Sequence, residues 1–112
     1  MEHIKESDWK LLRRLQPKAL DRLCKCALDD IAKISTKRSF SHYERFQKAF
    51  ALLQDRNADM ARAFDNLRRS SALPQLSYMV HLDLLAKDEL AEFSAETRDF
   101  LSAARRAARY HK

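Results

Sequence analysis

The side chains with the strongest chemical potential are few, and their spacing says what they cannot do. The histidines are His3, His42, His81 and His111. None sits three or four residues from a second ligand in a repeated pattern, so the paired Glu-x-x-His of a di-iron bundle is absent. His81 and Asp83 are two residues apart and cannot share a helical face; a structural histidine bonded to a neighbouring helix is expected there. Cys24 and Cys26 are the only cysteines. Two apart on a helix, they point to different sides and cannot bridge without distorting the backbone. Cys24 is expected as a small core residue and Cys26 as a free thiol at the edge. The carboxylates cluster at Asp29–Asp30 and at Asp88, Glu89 and Glu92. The second group falls where a short helix begins, so it reads as solvated decoration favoured by the helix dipole rather than as an acid–base pair. Ser70 and Ser71 after Arg68–Arg69 suggest an anion corner, but the C-terminal end of a helix is the wrong end for an anion. No metal, cofactor or catalytic set is expected.

Glycine sharpens that conclusion, because the chain contains none. Without it there is no phosphate-cradling loop, dinucleotide fingerprint or nucleophile elbow, each of which needs glycine at fixed offsets. Tight hairpins lose their usual source of positive φ as well, which argues against a β-rich fold. With 112 residues, 46 % hydrophobic and 34 % charged, the chain is expected to be one folded domain with a core of its own.

The net charge of +6 is unevenly spread. Residues 103–112 hold Arg105, Arg106, Arg109 and Lys112 with no acid, while the rest carries 18 basic against 16 acidic side chains. The chain therefore divides into a nearly neutral body, 1–102, and a basic C-terminal end, 103–112. Those four cations, with Tyr110 to stack on a base, form the expected nucleic-acid contact, acting mainly through phosphate neutralisation. The competing expectation is that they complement the C-terminus of a helix.

The elements that must position these groups are helices. Ser7 is placed to cap a first short helix running to Gln16, with Pro17 opening a second, since proline suits a first helical turn. Leu20, Leu23, Cys24, Ala27, Leu28, Ile31 and Ile34 then mark one face as far as Ser35. Ser41 and Glu44 have the spacing of a capping box. From there Tyr43, Phe46, Phe50, Leu53, Met60, Phe64 and Leu67 alternate three and four apart, with Asn57 in the missing slot. That predicts a long central helix of about 28 residues, on the order of 42 Å if unbroken. Its flanks, Gln47, Ala49, Gln54, Ala61 and Ala63, are small or uncharged, so other helices are expected to bury it within a bundle. Pro74 opens a helix in which eight of the eleven residues from Leu76 to Ala86 are apolar, so it is expected to be covered on all sides. A helical turn at Asp88–Phe93 follows, and Ser94 caps a last helix lined by Thr97, Phe100, Leu101, Ala104 and Ala108.

Asp-Trp-Lys-Leu-Leu-Arg at 8–13, the basic Arg68–Arg69 before an apolar helix, Leu-Leu-Ala-Lys-Asp-Glu-Leu at 84–90 and Phe-Ser-Ala-Glu-Thr at 93–97 occur in that order. The chain thereby resembles a group of short, uncharacterised, all-helical bacterial proteins over residues 8–101. The resemblance implies the helical architecture and no activity.

The expectation is an all-α bundle of five or six helices acting as a non-catalytic protein-interaction module. Its partner is a second copy or another protein, with Asn57, Met60, Phe64, Leu76, Met79 and Val80 as the interface. A nucleic-acid role through the basic end is the alternative. Residues 1–10 hold no apolar run, no segment reaches about 18 apolar residues and the thiols are free, so a cytoplasmic, non-membrane protein is expected.

Overall fold

A computed structural model describes the backbone of residues 3–110 and the side chains of residues 3–107. Among the described residues it holds five α-helices and one 3-10 turn: α1 (Glu6–Thr36), α2 (His42–Phe64), the turn Arg69–Ser71, α3 (Ala72–His81), α4 (Lys87–Ala91) and α5 (Ala95–Tyr110). The fold is all-α.

The longest helix is α1, with 31 residues. It runs straight through Pro17, where the sequence suggested two helices, and Ser7 lies inside it rather than at its cap. Proline inside a helix removes one backbone bond and costs about 3 kcal/mol. Packing overrides that cost here. Leu11, Leu12 and Leu15 before the proline and Ala19 and Leu23 after it are all buried in one core, and only an unbroken helix aligns them. Pro17 is itself exposed. Restoring the amide in Pro17→Ala should therefore stabilise the protein by about 1–2 kcal/mol, after allowing for the greater freedom of the unfolded chain. A melting temperature unchanged or lower in calorimetry would contradict this.

α2 forms one helix across Arg56–Ala58, and at 23 residues it is shorter than its apolar pattern. It stops at Asp65, whose backbone turns extended at φ −66° and ψ 135°, and Asn66 beyond it takes a left-handed conformation, φ 52°, which asparagine tolerates better than most residues. The buried Gln75 then satisfies the helix end, its Nε2 donating to the carbonyls of Ala63 at 3.2 Å and Asp65 at 3.0 Å.

Beyond Asn66 the chain turns back as α3, α4 and α5. These short helices cover only one end of the α1–α2 hairpin. Leu73, Leu76, Met79, Val80, Phe93 and Leu101 close on Leu12, Leu15, Ala19 and Leu23 there, with Ile4 and Phe64 in the same core. In α1 burial ends at Ala27, and in α2 it begins only at Ala63. The result is elongated, 50 × 31 × 25 Å with a radius of gyration of 16.5 Å, against about 13 Å for a spherical domain of this size. A two-helix arm projects from a small helical body.

Two long-range polar contacts fasten that body. Asp8 in the first turn of α1 accepts from the Ser94 amide at 2.9 Å, the Ser94 hydroxyl at 2.6 Å and the Thr97 hydroxyl at 2.7 Å. Glu89 accepts both guanidinium nitrogens of Arg22, at 2.6 and 2.9 Å, and the Ala86 amide at 2.8 Å. Arg22 also donates to the Leu84 carbonyl at 2.9 Å. Glu89 is buried, not the solvated decoration its position suggested: the α4 turn aims it back at α1.

Candidate interaction surface

The arm is built by local chemistry. Ser41 opens α2 with the full capping box, its hydroxyl accepting from the Glu44 amide at 3.0 Å while the Glu44 carboxylate accepts from the Ser41 amide at 3.2 Å. These bonds hold the Glu44 carboxyl below its ordinary pKa. Arg45 reaches across to the Ser35 carbonyl, 2.8 Å away, and so ties the start of α2 to the end of α1. Lys37 and Lys48 each sit 4.8 Å from the Phe40 ring and enclose the turn. Further down, Arg56 bridges to Asp30 of α1 at 3.6 Å and to Asp59 at 3.7 Å. Such half-exposed pairs are worth a few tenths of a kcal/mol each. They set the register of the hairpin more than they hold it together.

The apolar stripe of α2 does not face α1. The side of α2 that carries Arg45 and Arg56 does that, through Ser35 and Asp30 of α1, and Ala49 and Leu52 on the same side are half-buried. Tyr43, Phe46, Phe50 and Leu53 are instead 68, 70, 55 and 49 % exposed, and Leu28 on α1 is 64 % exposed. The expectation that a bundle buries this stripe is overturned. The remaining chain supplies only enough helix to cover the far end of the hairpin.

Helical geometry fixes where the stripe points. At roughly 100° per residue, Asp59 and Arg62 lie about 140–160° around α2 from its centre. Those are the residues that meet α3: the Tyr78 hydroxyl donates to Asp59, and the Arg62 guanidinium sits 4.2 Å over the Tyr78 ring. The bond to Asp59, with burial, pushes the Tyr78 phenol above its ordinary pKa. Along the exposed length of α2 the body therefore packs on the side away from the stripe, and only at the base does the same line enter the core, through Phe64. Leu28, roughly 100° from the Ala27–Ile31–Ile34 line, turns to the same side as the stripe.

This face carries no formal charge over its whole length. Between Tyr43 and Ala61 it presents Tyr43, Phe46, Phe50, Leu53 and Asn57, edged by Gln47, Ala51, Gln54 and Ala58. Glu44, Lys48, Asp55 and Arg62 all fall on the opposite half of the helix. Using about 200 Å² for a full aromatic side chain, the five exposed apolar residues present on the order of 550 Å². That lies at the upper end of what monomeric proteins leave uncovered.

The residues expected at an interface divide. Phe64, Leu76, Met79 and Val80 are buried in the protomer's own core, Met60 is half-buried against it, and Asn57 is exposed. The α3 surface that looked surplus in sequence is consumed internally. Of the basic end, Arg105 and Arg106 are exposed on α5. The side chains of Arg109 and Tyr110, and all of Lys112, lie outside the described residues. Arg105 joins Lys87 and Arg98 around a shallow cavity of about 280 Å³ floored by Val80, Leu90 and Leu101, a convergence of cations from α4 and α5 that the linear order conceals.

Among the described residues no group of three or more His, Cys, Asp or Glu is placed to hold a metal ion. His42 bonds Arg45, and His81 stacks on Tyr78 with ring centroids 5.6 Å apart. Cys24 is half-buried and Cys26 exposed, both as free thiols. Among the described residues no helix is long and apolar enough to cross a membrane. Compared with known proteins, the chain matches no family model, no curated protein and no solved structure.

Proposed function

We propose that the protein is a non-catalytic interaction module that docks a helical partner surface on the uncovered face of its α1–α2 arm. The observation that carries this reading is the exposure of Tyr43, Phe46, Phe50, Leu53 and Leu28 together on one uncharged face. Scattered exposed apolar residues need no explanation, but a contiguous stripe on a projecting arm marks an interaction site. The body is the scaffold, and the arm is the instrument. Free thiols at Cys24 and Cys26 fit a reducing compartment, so we place the protein in the cytoplasm.

The test separates docking from folding. In protein too dilute for copies to pair, Phe46→Glu with Phe50→Glu should leave the melting temperature and helical circular dichroism almost unchanged, because neither ring belongs to the core. The same pair should remove most of the fluorescence of an apolar surface dye. A melting temperature lowered by more than about 5 °C, equivalent to roughly 1 kcal/mol, would instead mean that the stripe stabilises the protomer.

A second reading is favoured by one observation, the convergence of Lys87, Arg98 and Arg105 around a single cavity. It is contact with nucleic-acid phosphates along the α4–α5 edge, continued by the basic end. Binding of labelled DNA or RNA should then fall steeply with salt, and Arg98→Ala with Arg105→Ala should weaken it about tenfold at low salt. No binding at low salt removes this reading and leaves the arm untouched.

A further inference from the structure

We infer that the occupant of the arm face is a second copy of this chain, packed antiparallel so that each α2 lies along the Tyr43–Met60 stretch of the other. The inference rests on the reading that this face is a docking surface, and it names the partner.

Charge is the first argument. A surface with no formal charge offers nothing by which a basic or acidic partner is selected, yet two copies can bury it against each other without desolvating an ion. Area is the second. About 550 Å² from five side chains per protomer gives roughly 1,100 Å² for the pair, and the Gln47, Ala51, Gln54 and Ala58 edge brings the total within the range of specific interfaces. The patch is thus matched in size to one more copy of itself.

The spacing supplies the register. Tyr43, Phe46, Phe50, Leu53, Asn57 and Met60 step by three, four, three, four and three, a series that reads the same in reverse. With the two-fold axis between Phe50 and Leu53, Phe50 of each protomer meets Leu53 of the other, as knob-into-hole packing requires. A parallel pair also matches the stripe to itself, so the rim decides between them.

The rim of the arm is dipolar. Lys33, Lys37, Arg38, Arg45 and Lys48 crowd the tip against Glu44 alone, whereas Asp29, Asp30, Asp55 and Asp59 follow one level down against Lys25 and Arg56. Parallel packing sets the cationic tips side by side. Antiparallel packing sets the cationic tip of each copy beside the acidic level of the other arm and keeps the two tips apart.

The experiment is sedimentation equilibrium on the full chain and Phe50→Glu, with circular dichroism as the control for folding and small-angle X-ray scattering for the length of the dimer. The wild type should form dimers at micromolar concentration. Phe50→Glu should raise the dissociation constant at least about 100-fold, as loss of a central aromatic anchor does. The dimer should be longer than the protomer, because antiparallel arms carry the two bodies to opposite ends. A dimer no longer than the protomer, with both bodies at one end, overturns the antiparallel register. A chain that stays monomeric at about 100 µM overturns the second copy as occupant. If that monomer still loses surface-dye fluorescence on Phe50→Glu, the docking surface stands without self-pairing; if it binds no dye, both readings fall together.

Discussion

Asp8→Ala is expected to lower the stability of the protein by about 4 kcal/mol, a large share of the 5–15 kcal/mol typical of a domain. Asp8 is only 3 % exposed, and its two oxygens take three hydrogen bonds from residues 86 and 89 positions away. Burial alone would raise the carboxyl pKa, but the bonds from the Ser94 and Thr97 hydroxyls and the Ser94 amide, with Lys5 nearby, together outweigh it and hold the pKa below the ordinary value. The carboxylate also sits where the first turns of α1 and α5 both point positive amide dipoles at it. Its truncation leaves the Ser94 amide, the Ser94 hydroxyl and the fully buried Thr97 hydroxyl without an acceptor, at about 1–3 kcal/mol for each group that stays dry. A fall in melting temperature of roughly 15–25 °C is the expected reading. Thr97→Val in the same background should recover part of it, because the orphaned hydroxyl leaves with the substitution. A fall of less than about 5 °C would show that the contact is not holding the body closed.

The second large effect is on acid stability. Glu89 has its pKa lowered to about 2 from the usual 4.5, chiefly by the bidentate bond from Arg22, against the opposing effect of burial and with help from the Ala86 amide. A carboxyl whose pKa is depressed in the folded state stabilises the fold above its unfolded pKa. That contribution is lost as pH falls from about 4.5 toward about 2, on the order of 2–3 kcal/mol in this window. The Arg22 side chain is 40 % exposed, so screening makes this an upper figure. Asp8 acts in the same direction, since its pKa is lowered too. Arg22→Ala should cost about 3 kcal/mol at neutral pH by leaving Glu89 buried without its cation, and it should flatten the acid limb, because Glu89 then protonates at a higher pH in the folded protein. Glu89→Gln should flatten the limb as well. Denaturant midpoints between pH 2 and 7 report all three curves; an acid limb of equal steepness in the wild type and both variants would mean that other carboxylates control acid unfolding.

Several local features were legible in the sequence because the chemistry is local. The Ser41–Glu44 capping box, the turn before the last helix at Ser94, and the helical class implied by a chain without glycine each follow from residues a few positions apart. Pro17 was misleading for the opposite reason: its local preference is to start a helix, and only the shared burial of Leu15 and Ala19 shows why the helix continues. The Asp8 and Glu89 contacts join residues 67 to 89 positions apart, and no short-range pattern pairs them.

The candidate site was half legible. The three-and-four spacing of Tyr43, Phe46, Phe50 and Leu53 marked one face of a helix correctly. What the spacing does not carry is whether anything covers that face, which depends on how far α3, α4 and α5 reach along the hairpin. The same limit applied in reverse to Leu76 and Met79, whose surplus apolarity suggested an interface but is used to close the protomer's own core.

Small-angle X-ray scattering across a concentration series tests most directly whether the arm pairs with its own copy. At the lowest concentrations the radius of gyration should approach the protomer's Cα value of 16.5 Å, allowing for the hydration shell. As concentration rises, the forward scattering per unit mass should double, and the particle should lengthen as two bodies separate at opposite ends of a paired arm. Phe50→Glu should remain at the protomer value throughout. Forward scattering that stays at the protomer level for the wild type at every concentration would contradict the account.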